Sequence, residues 1–305
     1  MIDRGMKHVL PLPLLCLCTS LQVASADDPL AALYANDLGI EKDPSVLFAE
    51  NFESGTMKKW DDVRGAVVTG ELAHAGNHSV KMEMIRGKNN GGDAKKWFMP
   101  GADKVFVRFY VKFSSDYGYC HHFVWLGATE RTNRWSAFGK AGLKPDGTYF
   151  STGMEPWFAW GKNPPPGEIN FYSYYLEMEP DKKMNKYWGN AFFPPGPEKG
   201  AAAGVQRVIP PLDRWQCWEF MIEANTAADK ADGNQEMWVD GKSVGKFSGI
   251  RWRNHLDLKI NCLWLEHYGF DASDPTKQFW REKQSVWFDD VVVATRYIGP
   301  MTLAK

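Results

Sequence analysis

The sequence predicts an all-β fold, a large antiparallel sandwich or barrel, and three observations carry that prediction. Apolar residues alternate with other residues in run after run, the runs are separated by turn dipeptides, and helical periodicity is scarce after Asn36. In Lys104–Phe113, Val105, Val107, Phe109, Val111 and Phe113 alternate with Phe106, Arg108, Tyr110 and Lys112. Similar runs are Ser79–Ile85, Phe171–Met178, Trp215–Ala224, Glu236–Val239, Lys259–Leu265 and Ser285–Ala294. Pro100-Gly101, Asp146-Gly147, Asp232-Gly233 and Asp240-Gly241 punctuate them. Trp238–Val244, with Asp240-Gly241 at its centre, reads as a tight hairpin. Asn163–Gly167 and Pro194–Gly204 are rich in Pro, Gly and Ala and read as loop insertions bordering a cleft, since loops on a rigid scaffold carry binding residues.

The first residues read as an address. Arg4 and Lys7 precede an apolar run from Val9 to Leu17, and Ala24-Ser25-Ala26 supplies small residues before a cleavage site. Residues 1–26 are therefore expected to be a secretory signal peptide and 27–305 a single domain, secreted or periplasmic. No later stretch approaches the roughly 18 apolar residues of a membrane helix. Of 5 cysteines, Cys16 and Cys18 leave with the signal; Cys120, Cys217 and Cys262 sit in strand-like runs, without metal-site spacing, as inert buried thiols.

The 305 residues carry a formal net charge of −1, which argues against a nucleic-acid or polybasic membrane binder. The 14 Trp and 11 Tyr are the unusual feature, because aromatic faces cover sugar C–H groups. There is no nucleotide-binding glycine loop, HExxH or GxSxG, so phosphate chemistry and serine hydrolysis are not expected.

Phe52-Glu53-Ser54-Gly55, Ala75-Gly76-Asn77-His78-Ser79-Val80, Trp218-Glu219, Trp238-Val239-Asp240-Gly241-Lys242, Trp287–Val293 and Tyr297-Ile298-Gly299-Pro300 form a series. Together they resemble the concanavalin A-like jelly roll, particularly secreted polysaccharide lyases similar to glucuronan and alginate lyases. The resemblance spans most of the chain after residue 26. It implies a β-sandwich with long loops around a concave cleft and a structural calcium tying the first strand to the last. Glu53, Asn77 and Asp289 or Asp290 are the matching calcium positions, since a hard cation needs several oxygens.

Eliminating a 4-linked uronate requires the carboxylate to be neutralised, the C5 proton removed and the leaving oxygen protonated. Arg108 with Lys112 is assigned to the carboxylate, His121 or His122 to the base, and Tyr174 or Tyr110 to the proton donor. Strand alternation is expected to put the two histidines on opposite faces. Tyr172 shares a face with Tyr174, while Tyr175, Glu177 and Glu179 share the other. Glu177 with Glu179 or Glu155 is the alternative, a hydrolase of neutral β-glucan, although Met178 departs from the E-x-D-x-x-E strand of jelly-roll glucanases. Trp157, Trp188, His267 and Tyr268 are further candidates for substrate contact. The expected partner is an anionic polysaccharide met by a monomer; the third possibility is a carbohydrate-binding protein that does not cut its ligand.

Overall fold

The computed structural model describes residues 28–194 and 208–303. The expected signal peptide lies outside these residues, as does the Pro194–Gly204 insertion after Pro194. Fifteen strands make two antiparallel sheets: β1 (Val46–Glu50), β2 (Asp62–Arg64), β3 (Ala66–Thr69), β4 (Ser79–Ile85), β5 (Gly91–Ala102), β6 (Lys104–Phe113), β7 (Val124–Thr129), β8 (Tyr149–Trp157), β9 (Glu168–Tyr174), β10 (Asn190–Phe192), β11 (Gln216–Glu223), β12 (Gly233–Val239), β13 (Lys242–Ile250), β14 (Ile260–Tyr268) and β15 (Lys283–Ala294). The first sheet runs β13-β12-β11-β6-β15-β4-β3, with β1 also on β15; the second runs β10-β9-β8-β7-β14-β5-β2. Among the described residues there is no α-helix, only short 3-10 turns.

Alternation decides what each strand buries. Val105, Val107, Phe109, Val111 and Phe113 of β6 meet Leu126, Phe150, Phe171 and Leu263 of the second sheet, with Phe123 just before β7, in one core. The hairpin forms as the sequence predicts, with Asp240 and Gly241 both at positive φ, 48° and 76°, the pair of left-handed residues such a turn requires. Cys120, Cys217 and Cys262 are free and buried, and burial pushes all three thiols up. None is a nucleophile.

The outer face of the first sheet is closed by the chain's own start. The 3-10 turns Leu30–Leu33, Ala35–Asp37 and Ile40–Lys42 lay Leu30 and Ile40 on Phe106, Met221, Val292 and Ile298. Asp37 forms an ion pair with Arg108, whose side chain is wholly buried. Tyr110, also on this face, lies under the His74 ring at 3.4 Å and accepts the Met301 N–H. Lys112 pairs with Asp213 at 2.7 Å. The expectation that Arg108, Tyr110 and Lys112 line the cleft is therefore corrected: they belong to the sheet opposite the site. Period two separates two faces of a strand without saying which sheet owns it.

Of the four residues expected to hold calcium, Glu53 lies against the Asn77 backbone, and Asp289 and Asp290 lie against His74. Among the described residues, no group of three or more His, Cys, Asp and Glu side chains is placed to hold a metal. Glu53 accepts the N–H groups of Asn77 and His78 at 2.9 and 2.7 Å. Asp289 accepts those of His74 and Asp290, both at 2.8 Å, and Asp290 lies 2.8 Å from His74 Nδ1. These carboxylates are turned to N–H donors, an arrangement that does not fit a calcium ion.

Candidate active site

The outer face of the second sheet is built differently. Residues directly opposite each other on paired strands share a face, which places Tyr172, Gly153, Trp125, Trp264 and Lys95 in one row across five strands. Gly153 is needed in that row. A Cβ there would lie 3.0 Å from the Trp125 ring, so the glycine lets the indole lie flat on the sheet. The next row holds Tyr174, Ser151, Gly127, Cys262 and Trp97. Loops after β7 and β9 meet above the face, where Gly142 and Tyr187 exchange backbone hydrogen bonds of 2.9 and 3.3 Å.

Between the rows and the loops lies a cavity of about 150 Å³, lined by His122, Trp125, Trp264, Tyr149, Tyr174 and Lys140 among others. Trp125 and Trp264 stack at 5.8 Å as its floor. The Tyr172 and Tyr174 rings meet edge-on at 5.7 Å, and burial raises both phenols above their ordinary range. They stay protonated at neutral pH, the form in which a phenol has a proton to give. Lys140 stands in the wall, 2.7 Å from Asp146 and over the Tyr149 ring at 5.4 Å.

His122 keeps a fifth of its side chain open, and its Nδ1 is 3.1 Å from Glu155 Oε2. Burial pushes Glu155 up to about 8 and His122 down to about 4. Both shifts favour the uncharged pair at neutral pH, with the Glu155 proton given to Nδ1 and Nε2 carrying the other hydrogen. Ionising Glu155 reverses the tautomer: Nδ1–H then donates to the carboxylate and Nε2 offers a lone pair. Glu266, on β14, has its Oε2 buried without a partner and is raised well above the usual carboxylate range by burial, with Asp93 and Glu155 adding to it.

His121 departs from the alternation expected of a strand. Residues 119–122 precede β7 and are irregular, so the two imidazoles sit with ring centres 4.1 Å apart on the same side, His121 also held down to about 4 by burial. Tyr268 pairs with His122 across an isolated bridge and stacks on it at 6.2 Å. His267 points the other way, fully buried and 3.2 Å from Gln284 Nε2, so it is a core residue and not a contact for substrate. The strand expected over Phe171–Met178 ends at Tyr174. Glu177 and Glu179 lie beyond it, exposed, with Glu177 paired to Arg251 at 3.1 Å, and no carboxylate pair forms on that strand. Trp157 stands at the rim, 38% exposed and 5.1 Å from Phe193. Trp188 is half-buried, its ring close to Gly142, and packs between the loops rather than forming an open platform.

Sequence reasoning missed Trp125, Trp264, Lys95 and Lys140. Lys95 is buried between Asp62, at 3.1 Å, and Asp93, in a run whose Gly91-Gly92 start masks the strand pattern. Trp264 was accessible, because it alternates with Leu263 and Leu265 in β14.

No family model matches the chain, and no curated protein matches it. Solved structures do. The chain is similar to the PL-14 alginate lyase of Aplysia kurodai, at 11% identity and a TM-score of 0.58, over 82% of this chain and 99% of that one. It is similar to alginate lyase vAL-1 from Chlorella virus, at 14% identity and 0.58, over 83% and 100%. Alginate lyase Aly36B matches at 12% identity and 0.53, over 86% and 99%; a doubly substituted form of that lyase was solved with an alginate tetrasaccharide. At such identities the likeness carries architecture, and the chain is a jelly-roll β-sandwich of the kind these alginate lyases use.

Proposed function

We propose that the protein is an exported polysaccharide lyase that cleaves a uronic-acid polymer by β-elimination, acting as a monomer. The observation that carries the reading is one cavity, floored by Trp125 and Trp264, whose wall holds an imidazole, a phenol and an ammonium together. In this reading Lys140 neutralises the uronate carboxylate, a role that Arg108 is too far behind the core to fill. His122 Nε2 takes the C5 proton, electrons move into a C4–C5 double bond, and the C4–O bond breaks. Tyr174 gives its proton to the leaving oxygen, and solvent restores the phenol and removes the proton from His122. Trp125 and Trp264 hold the ring so that C5 faces the imidazole.

A retaining or inverting hydrolase needs one ionised carboxylate beside one acid. Here Glu155 and Glu266 are both pushed toward the protonated form, and Glu177 and Glu179 face solvent, which speaks for elimination. The test follows ultraviolet absorbance of the new conjugated double bond on alginate and glucuronan, with a reducing-end assay on neutral glucans beside it. Absorbance growth is expected on a uronate polymer, falling about 10²-fold or more in His122→Ala and in Tyr174→Phe. Reducing ends without absorbance would overturn the elimination, and activity undiminished in both variants would overturn the assignment.

A further inference from the structure

A second cavity, of about 520 Å³, opens at the far side of the same sheet face, lined by Asp61, Trp97, Met99, Arg131, Arg134 and Trp135 among others. We propose that it is an outlying binding site for a uronate residue of the polymer being cleaved, in which Arg131 and Arg134 take the carboxylate and Trp135 takes the ring. This inference rests on the reading of the ligand as a uronate polymer.

Four features argue for it. The guanidinium groups of Arg131 and Arg134 have no ion pair among the described residues, and both side chains are exposed. Arg134 is held over Trp97 at 4.9 Å and Trp135 at 5.6 Å, which fixes the plane of the fork while leaving its edge free. The cavity's carboxylate, Asp61, is already engaged, accepting the Trp97 N–H at 2.8 Å and Lys96 Nζ at 3.4 Å, so it leaves the pocket's positive charge uncancelled. Trp135 is 40% exposed, with Trp97 and Phe138 meeting its ring edge-on at 5.0 and 5.3 Å.

The loop is also pre-shaped. Asn133 N–H donates to Glu130 O at 3.1 Å, Trp135 N–H to Asn133 Oδ1 at 3.1 Å, and Trp97 Nε1–H to Arg134 O at 3.0 Å. Ser136 Oγ accepts the Glu130 N–H at 3.0 Å and donates to Thr148 O at 2.9 Å. Groups held this way bind without first being ordered. An aromatic track joins the cavity to the reacting centre: Trp135 to Phe138 at 5.3 Å, Phe138 to Trp264 at 4.7 Å, Trp264 to Trp125 at 5.8 Å and Trp125 to Tyr174 at 6.2 Å. Trp97 and Tyr174 stand four strands apart in one row, about 19 Å at ~4.8 Å per strand, a span of several linked sugar rings.

The experiment compares the full-length wild type with Arg131→Gln/Arg134→Gln, with Trp135→Ala, and with Lys242→Gln/Lys246→Gln, which removes equal charge from the opposite sheet. KM for polymeric alginate or glucuronan should rise at least fivefold in the first two variants, with kcat unchanged. Turnover of the shortest cleaved oligomers should match wild type, and the lysine variant should behave as wild type throughout. An unchanged polymer KM, or an equal loss on polymer and oligomer, would overturn the site. Retardation in polymer-loaded gels reads binding without turnover. Wild type retarded by a uronate gel but inactive would remove the lyase reading, while retardation lost in the arginine variant would sustain this site. Equal retardation in a neutral glucan gel, or none in any gel, would overturn it.

Discussion

Replacing Glu155 by Gln tests the site at its most specific point, the proton it shares with His122. With Glu155 titrating at about 8, the carboxyl is ionised in about 1% of molecules at pH 6, and only that form leaves His122 Nε2 free to accept a proton. The wild-type kcat/KM should therefore climb as pH rises through about 8, the acid limb belonging to the pair and not to either residue alone. In Glu155→Gln the carboxamide oxygen accepts Nδ1–H at every pH. The limb should then fall toward the value near 4 at which burial holds the imidazole itself. At pH 6 the variant should equal or exceed wild type. At pH 9 it should be slower, by roughly tenfold, because an amide strengthens the imidazole less than a carboxylate does. The assay is initial-rate absorbance on a uronate polymer from pH 5 to 10, with unfolding monitored in parallel. A wild-type limb below pH 6, or identical profiles for the two proteins, would refute the reasoning.

The same carboxyls set the pH dependence of stability. Burial raises Glu155 from 4.5 to about 8 and Glu219 from 4.5 to about 7, so the folded state holds more protons than the unfolded chain across those windows. Their contribution is fully present below pH 4.5 and is lost as pH rises through 8 for Glu155 and 7 for Glu219, by at most roughly 5 and 3 kcal/mol respectively at 1.36 kcal/mol per pH unit. Urea midpoints should fall between pH 5 and 9, and Glu219→Gln should narrow the difference; a midpoint that rises over that range would contradict the assignment. Removing Asp37 should be costly, since Arg108 is wholly buried and its Nε and Nη1 already lack partners. Asp37→Ala should lose about 3–5 kcal/mol in denaturant unfolding and Asp37→Leu/Arg108→Met should recover most of it, whereas a single-variant loss below about 1 kcal/mol would show the charge reaching water.

The sandwich was legible because its signal is local. The β4 and β6 runs alternate apolar and other residues over most of their lengths, and turn chemistry such as Asp240-Gly241 punctuates the strands. Tyr172, Tyr174, Glu155, His122 and Tyr268 were legible as candidates for the same reason, and they do meet on one face. Glu177 was misplaced because the strand ends at Tyr174, and no residue in Tyr175-Leu176-Glu177 marks that end. His121 was misplaced because alternation holds only inside a ladder, and its segment joins one only through the His122–Tyr268 bridge.

The exchange of faces has a deeper cause. In a sandwich each strand shows one side to the core and one outward, and the two outward surfaces look alike in sequence: Phe106, Arg108 and Tyr110 on one, Trp264, Glu266 and Tyr268 on the other. What separates them is how buried charge is matched. On the first sheet Arg108 is met by Asp37 from the chain's first described turns, and Glu219 by the N–H groups of Ile298 and Gly299 at 2.8 Å. On the second sheet Glu155 and Glu266 are buried beside an imidazole and each other, with no cation paired to either and one Glu266 oxygen left without a partner. Burial raises even Glu219, with its N–H donors, to about 7, and raises Glu155 further, to about 8, so the larger cost at neutral pH falls on the second sheet. That cost is borne on the face with the aromatic floor and the open cavity, where perturbed acids and bases have chemistry to perform.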